Sequence, residues 1–393
     1  MTTYLTAAEA AARLGVTRQT LYAYVSRGLI AAHPAGDPRA RRYAAEAVEA
    51  LAGARRRGRR PREVAKATLD WGLPVLESSL TLIRDGRLSY RGVDALDLAA
   101  GAQAEDVAAL LWDCPREAAF GPQAPPLLPA PAGAAGRPDG ALLSLFAAAT
   151  TDDATAPWQH DPGRLAAGCG ALVRVLLACL TGRPPGAAPL HRQCAAAWGL
   201  DDDGAEWVRR ALVLTADHEL NASGFTARCV ASTGASLRAA VIGGLAALSG
   251  SRHGGTTARV EALWDGLARD DAPAPSLRRH LEGADGLPGF GHPLYPRGDP
   301  RAEALLAPLL RGDPRLRDLV AAAEALTGRR PSIDFALVAL RRRLGLERGS
   351  AFGLFALGRS IGWIAHALEQ RRSGQLIRPR AVYVGPEPAG RPA

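Results

Sequence analysis

Lysine is almost absent from this 393-residue chain: Lys66 is the only one, and it lies in a linker-like stretch, not a glycine-rich loop. That argues against a phosphate-loop lysine and against a Schiff-base lysine. Aromatic residues make up only 5%, and alanine, leucine and arginine dominate, a balance that favours helix over strand. The five cysteines, Cys114, Cys169, Cys179, Cys194 and Cys229, contain no C-x-x-C pair. A zinc knuckle and a disulfide framework are therefore not indicated, and buried reduced thiols are expected. No uncharged apolar run reaches the roughly 18 residues a membrane span needs; the longest candidate, around 230–248, is broken by Arg238 and several glycines. The first residues, Met1-Thr2-Thr3-Tyr4-Leu5, soon give way to Glu9 and Arg13 without a secretory apolar segment. A cytoplasmic protein without membrane contact is expected.

What is present is arginine. The net charge of +9 comes almost wholly from it, and its planar fork suits carboxylates and phosphates. The chain is long enough for two or three units with a large core. Residues 1–54 read as a small module. Thr6-Ala7-Ala8-Glu9 has the spacing of a capping box, and Ala8, Ala11, Ala12 and Leu14 would form the apolar face of a short helix ending at Gly15. Thr17 caps a second helix, 18–25, ending near Gly28. This helix-turn-helix would present Arg18, Gln19, Thr20, Tyr22 and Tyr24 to phosphates and base edges, with a small basic wing at 36–43 that includes Arg42. Residues 55–72 read as a basic linker. The run from Tyr4 to Ile30 resembles the winged helix-turn-helix domains of mercury-resistance regulators and excisionases, which implies DNA as a partner.

From residue 73 the pattern changes. A short extended segment turns at Asp85-Gly86, and helical periodicity runs over 94–112. Residues 115–160 read as a loop-rich insertion apart from an apolar segment near 142–149. Long helices are then expected at 165–180, 204–216, 225–249, 256–268, 301–310, 316–327, 335–344 and 351–371, an all-α unit. Four polar clusters interrupt them: Asp217-His218-Glu219-Leu220-Asn221, His253-Gly254-Gly255, Gly289-Phe290-Gly291-His292 and Ser332-Ile333-Asp334-Phe335. Glycine and short polar residues are poor helix interiors, so these clusters fall where helices begin, end or bend.

These clusters, together with Asp299-Pro300-Arg301, the stretch Gly358-Arg359-Ser360 and the closing Ile377-Arg378-Pro379-Arg380, occur in the order and near the spacing of citrate synthases. The resemblance covers about residues 70–385. It implies a citrate synthase fold, with a large helical domain at 73–255 and 346–393 and a small one at 256–345. It also implies a homodimer with a shared active site, acetyl-CoA and oxaloacetate as substrates, and no metal or other cofactor. By resemblance Asp334 is the base, His253 the neutral donor to the enol, and His292 a protonated or hydrogen-bonding group on the ketone. His218, Arg301, Arg359 and, from the partner subunit, Arg378 join His292 in holding oxaloacetate. Leu287, Gly289, Gly291 and Arg297 would contact CoA, the two glycines by letting the backbone approach the substrates. Arg297 stands one position after the family's usual basic residue, where this chain has Pro296.

A helix start near Thr256 would keep His253 neutral through its local field more than through burial. His33, His160, His191, His280 and His366 match none of these motifs and are expected to be structural or exposed. Two other roles remain compatible with the residues: a 2-methylcitrate synthase using propionyl-CoA, and a transcription regulator sensing metabolites through the synthase unit.

Overall fold

The computed structural model describes residues 4–26, 30–35, 37–58, 76–121, 139–149, 153–267, 273–283, 286–381 and 383–386. Most of the expected linker, Lys66, Gly28 and Gly36 of the first module, the segment at 73–75 and the centre of the 115–160 insertion lie outside these residues. The chain divides into two units, one of residues 1–77 with 380–393 and one of residues 78–379.

In the first unit, β1 (Tyr4–Thr6) leads into α1 (Ala7–Leu14), α2 (Arg18–Ser26), β2 (His33–Ala35), β3 (Asp37–Ala44) and α3 (Ala45–Gly58). Thr6 and Glu9 form the expected capping box, and Gly15 ends α1 in a left-handed conformation. The buried face of α1 is Ala10, Ala11 and Leu14, with Ala8 and Ala12 exposed. The buried face is thus rotated from the expected one, and it shares its core cluster with Leu5, Leu21 and Tyr43. Thr17 accepts the Thr20 N–H at 3.2 Å, starting α2. The strands pair antiparallel in the order β1-β3-β2, the sheet of a winged helix-turn-helix. Helix α3 carries the chain past residue 54, so the start of the arginine run is helical.

The second unit opens with a hairpin of β4 (Thr81–Arg84) and β5 (Arg87–Tyr90), joined through left-handed Asp85 and Gly86 and extended by β6 (Val93–Asp94). Helices follow: α4 (Ala95–Gly101), α5 (Ala104–Trp112), α6 (Arg116–Phe120), α7 (Asp139–Ala148), α8 (Pro162–Thr181), α9 (Leu190–Trp198), α10 (Asp202–Thr215), α11 (Ala222–Ser232) and α12 (Leu237–Leu248). The remainder is α13 (Thr256–Leu267), α14 (Pro273–Glu282), α15 (Pro300–Gly312), α16 (Pro314–Thr327), α17 (Ile333–Arg343) and α18 (Ser350–Ser373). The long helix α18 is the axis: it is buried almost throughout from Ser350 to Ala367 and packed by α5, α8, α10, α11, α12 and α17.

Several boundaries differ from the sequence expectation. The span 225–249 is two helices, because Gly234 turns left-handed and Ser236 caps α12 through the Ala239 N–H. The span 94–112 breaks at Ala102-Gln103, where Gln103 and Asp106 form a new capping box. Helices α9 and α14 were not expected. The first N–H of α9, on Leu190, is taken at 2.6 Å by the buried carboxylate of Glu105 on α5, a cap with no local sequence signal. Among the described residues α8 and α18, not 230–248, are the two helices long and apolar enough to cross a membrane, and both are largely buried inside the protein.

Candidate active site

The polar clusters converge because α10 and α18 approach closely. Gly358 and Gly362 lie one turn apart on α18; a Cβ on the first would strike Thr215 and on the second Asp217. Between them Arg359, 1% exposed, donates from Nε to the Thr215 carbonyl at 2.9 Å. The turn after α10 is braced by Asp217, whose Oδ2 accepts from Thr81 Oγ1 at 2.6 Å. His366 Nε2 sits 3.3 Å from the other oxygen of Asp217 and 3.2 Å from the Glu219 carbonyl oxygen. A carbonyl only accepts, so that nitrogen carries the proton, and His366 is a structural brace as expected. Burial alone would raise the Asp217 carboxyl; His366 and Arg359 outweigh it and keep the value low.

His218 is delivered by this turn to a ring cluster. Its Nε2 is 3.0 Å from the Tyr295 hydroxyl, and its ring meets that of His292 edge-on at 5.1 Å. His292 Nδ1 accepts the Leu294 N–H at 3.2 Å, so a neutral ring carries its proton on Nε2. Arg301 lies over the Tyr295 ring. It is held in turn by Asp299, which accepts from Arg301 Nε at 2.9 Å and Nη2 at 2.8 Å, and from the Ile333 N–H at 3.1 Å. One buried carboxylate thus ties the start of α15 to the start of α17. Burial works against both charges, but each partner outweighs it, lowering the pKa of Asp299 and raising that of Arg301.

Asp334 stands in the first turn of α17, after its N-cap Ser332. Ser332 donates to Oδ2 at 3.3 Å, while Oδ1 is enclosed with no partner among the described residues. Burial pushes the carboxyl up to about 6, against the pull of Arg301. His253 lies between α12 and α13, with Nε2 2.8 Å from Ser223 Oγ, which is also 2.7 Å from Asn221 Oδ1. Ser223, two residues beyond the first polar cluster, is a site residue that the sequence did not single out.

Each histidine is neutral near pH 7. His253 is pushed down to about 3 by burial and then by the Arg359 charge. This corrects the expectation that the field at the start of α13 outweighs burial. His292 is pushed down to about 4 by burial and Arg301, which overrides the protonated alternative for the unliganded site. His218 is held well below its ordinary value by burial, then by Arg301 and Arg359. Arg359 itself falls to about 10 through burial, against the pull of Asp217.

The remaining candidates are placed differently. Leu287 is buried, 6% exposed. Gly289 and Gly291 have left-handed φ of 81° and 82°. A Cβ on Gly289 would meet Val260 at 2.7 Å and on Gly291 would meet Arg329 at 2.9 Å. The protein's own packing and the left-handed backbone favour glycine at both positions, beside the role that the family resemblance implies for them. Arg297 is exposed and donates from Nη2 to the Asp85 carbonyl at 3.3 Å. Arg378 is exposed in the segment after α18 and is not part of the cluster formed by this single chain. Among the described residues no group of three or more His, Cys, Asp or Glu is placed to hold a metal ion. In the first unit Arg18, Gln19, Tyr22 and Arg42 are exposed and Thr20 is half-buried, but Tyr24 packs against the core and leaves the expected face.

A helical fold in which histidines, guanidiniums and an unpartnered carboxylate meet at helix ends defines a site for acid–base work on an anionic substrate. A family model described as "Citrate synthase, C-terminal domain" matches residues 140–380, and one described as "Helix-turn-helix domain" matches residues 4–56. The chain belongs to the citrate synthase family. It is 40% identical over 187 residues to putative citrate synthase 2 of Mycobacterium tuberculosis, covering 45% of this chain and 50% of that one. It is 37% identical over 190 residues to the 2-methylcitrate synthase of Shewanella oneidensis, covering 45% and 50%. The chain thus spans about half the length of the curated relatives it matches. Its fold is similar to the Thermoplasma acidophilum citrate synthase solved with carboxymethyl coenzyme A and oxaloacetate, with a TM-score of 0.65 and 25% identity over 81% of this chain and 96% of that one.

Asp334 makes the site's clearest mark on stability. Its folded value of about 6 stands against about 3.9 in an unfolded chain. Between those values the folded protein binds more protons, so its contribution is full below the lower value and lost as pH rises through the upper one. Asp334→Asn is therefore expected to melt at a higher temperature than the parent at about pH 7.5, with the difference gone by about pH 4. Thermal scans across that range check this, and identical curves would show that burial does not raise the carboxyl.

Proposed function

We propose that this protein is a cytoplasmic homodimeric citrate synthase, condensing acetyl-CoA with oxaloacetate and hydrolysing the resulting thioester to citrate and free CoA. The observation that carries the reading is Asp334, a carboxylate with an unpartnered enclosed oxygen and a value near 6. A general base works best near the operating pH. Asp334 takes a proton from the acyl methyl carbon. His253 donates to the thioester oxygen as negative charge grows there; an Nδ1–H donor requires the Ser223 hydroxyl, bonded to Asn221 Oδ1 in the unliganded chain, to turn its proton to His253 Nε2. The enol carbon then bonds to the ketone carbon, whose oxygen accepts a hydrogen bond from His292 Nε2–H as charge grows on it, and the proton that Asp334 removed balances the new alkoxide. Water finally cleaves the thioester. The two carboxylates of the keto acid are held by His218, by Arg301 and Arg359, and by Arg378 of the partner subunit. By resemblance Leu287, Gly289, Gly291 and Arg297 contact the acyl-CoA. Residues 256–345 form a small domain that closes over it against a large domain of 73–255 and 346–393.

Propionyl-CoA is the main competing acyl donor, as the match to a 2-methylcitrate synthase suggests. A methylene is worth roughly 1–3 kcal/mol in an apolar pocket, so the ratio of kcat/KM for the two esters assigns the substrate. The exposed Arg18, Gln19, Tyr22 and Arg42 of the helix-turn-helix unit favour a second role on DNA.

Free thiol released from acetyl-CoA in the presence of oxaloacetate tests the principal reading. Release by the parent and its loss in Asp334→Ala are expected, with kcat/KM falling on the acid side below about pH 6. The histidines are already neutral there. No release from either acetyl-CoA or propionyl-CoA would reject the reading.

A further inference from the structure

At the C-terminal end of α18 the second unit encloses a cavity of about 560 Å³. None of the reacting-group residues lines it. Arg359 and Arg371 are twelve residues apart on this helix, a separation of about 18 Å at about 1.5 Å per residue. The volume falls within the roughly 300–1,000 Å³ of small-molecule sites.

One wall is apolar, built by Trp112, Leu165, Ala166, Ala231 and Leu368. Trp112 is fixed there by its indole N–H, which donates to the Ile361 carbonyl at 2.9 Å. The lining also carries Arg371, half-buried, whose Nη2 donates to the Thr155 carbonyl at 2.7 Å and the Ala235 carbonyl at 3.2 Å. Its Nε is enclosed without a partner, and among the described residues no carboxylate is bonded to this guanidinium. Several buried arginines are matched by carboxylates, Arg228 by Glu369, Arg301 by Asp299 and Arg341 by Glu261, while among the described residues buried Arg174 bonds only the Phe120 carbonyl. Arg371 shares with Arg359 and Arg174 a guanidinium anchored on main-chain carbonyls with no bonded carboxylate among the described residues, and of the three it alone lines this cavity. A cation taken out of water without a counter-charge is costly. Arg372 adds a further positive charge to the lining, while Asp113, also lining it, disfavours a second negative charge.

We propose that this cavity is a binding site for a small organic anion, a carboxylate or a phosphate monoester on an apolar body, with its anionic head on Arg371 and its body against Trp112 and Leu368. The site does not depend on the reaction assigned above.

Isothermal titration of the full chain with phenylacetate, phenyl phosphate and the uncharged benzyl alcohol tests it. One or both anions should bind once per chain, at least about tenfold more tightly than the alcohol, as expected for a charge-assisted bond. Binding of phenylacetate alone assigns a carboxylate and of phenyl phosphate alone a phosphate monoester; binding of both assigns recognition by charge. Arg371→Gln should weaken binding by about tenfold or more. Because that side chain also ties Thr155 and Ala235 in place, a second variant is needed. Ser232, which lines the cavity and bonds only its own helix at Cys229, can be replaced in Ser232→Phe to fill the space. That variant should abolish binding while keeping the parent's circular dichroism and thiol release. Failure of both anions to bind, equal binding of the alcohol, or binding that survives in folded Ser232→Phe would overturn the proposal.

Discussion

The buried carboxylate of Asp299 is the interaction on which the site depends. It starts α15, takes two bonds from Arg301 and accepts the first N–H of α17, the helix that carries Asp334. A lone carboxylate at this depth would be strongly penalised, and so would a lone guanidinium. Their pairing lets a cation remain beside the His218, His292 and Tyr295 rings while fixing the start of the adjoining helix that carries Asp334. Removing Asp299 would leave both Arg301 and the start of α17 unsatisfied.

Burial then sets the charge of every reacting group in a consistent direction. It favours neutral forms, so the three histidines lose their protons and Asp334 gains affinity for one. The cationic arginines push the histidines further the same way, while on Asp334 they oppose burial and keep its value near neutrality. A base that ionises near pH 6 beside histidines that are neutral but rich in donors suits proton removal from a weakly acidic carbon. A cluster of imidazolium groups would instead stabilise the carboxylate and weaken it as a base.

Much of this was legible in the sequence, for identifiable reasons. Motifs that mark chain ends carry their own chemistry: the Thr6–Glu9 capping box, the Asp85-Gly86 turn and Asp299-Pro300 at a helix start all form as expected. Of the residues brought together at the site, His218, His253, His292 and Asp334 were each visible in a polar break, and Arg301 and Arg359 in motifs that carry the family resemblance. Long-range effects were not legible. Helix α9 is capped by Glu105, 85 positions away. Tyr24 turns inward because of the core it meets, and Gly289 is required by Val260 and Phe335. Ser223 gains a role only when His253 arrives beside it. The break at Gly234 is a different case: Thr233-Gly234-Ala235-Ser236 holds both a left-handed residue and a cap, a local signal masked by the apolar sequence on either side.

The central claim is that burial keeps the site's histidines neutral while holding the Asp334 carboxyl high. Nitrogen-15 spectra of histidine-labelled protein, with His218, His253 and His292 assigned by single substitution, test it most directly. The account predicts that at about pH 6, near the ordinary histidine value, all three rings show one protonated and one unprotonated nitrogen, with the His292 proton on Nε2. Imidazolium signals from His253 or His292 at that pH would contradict it.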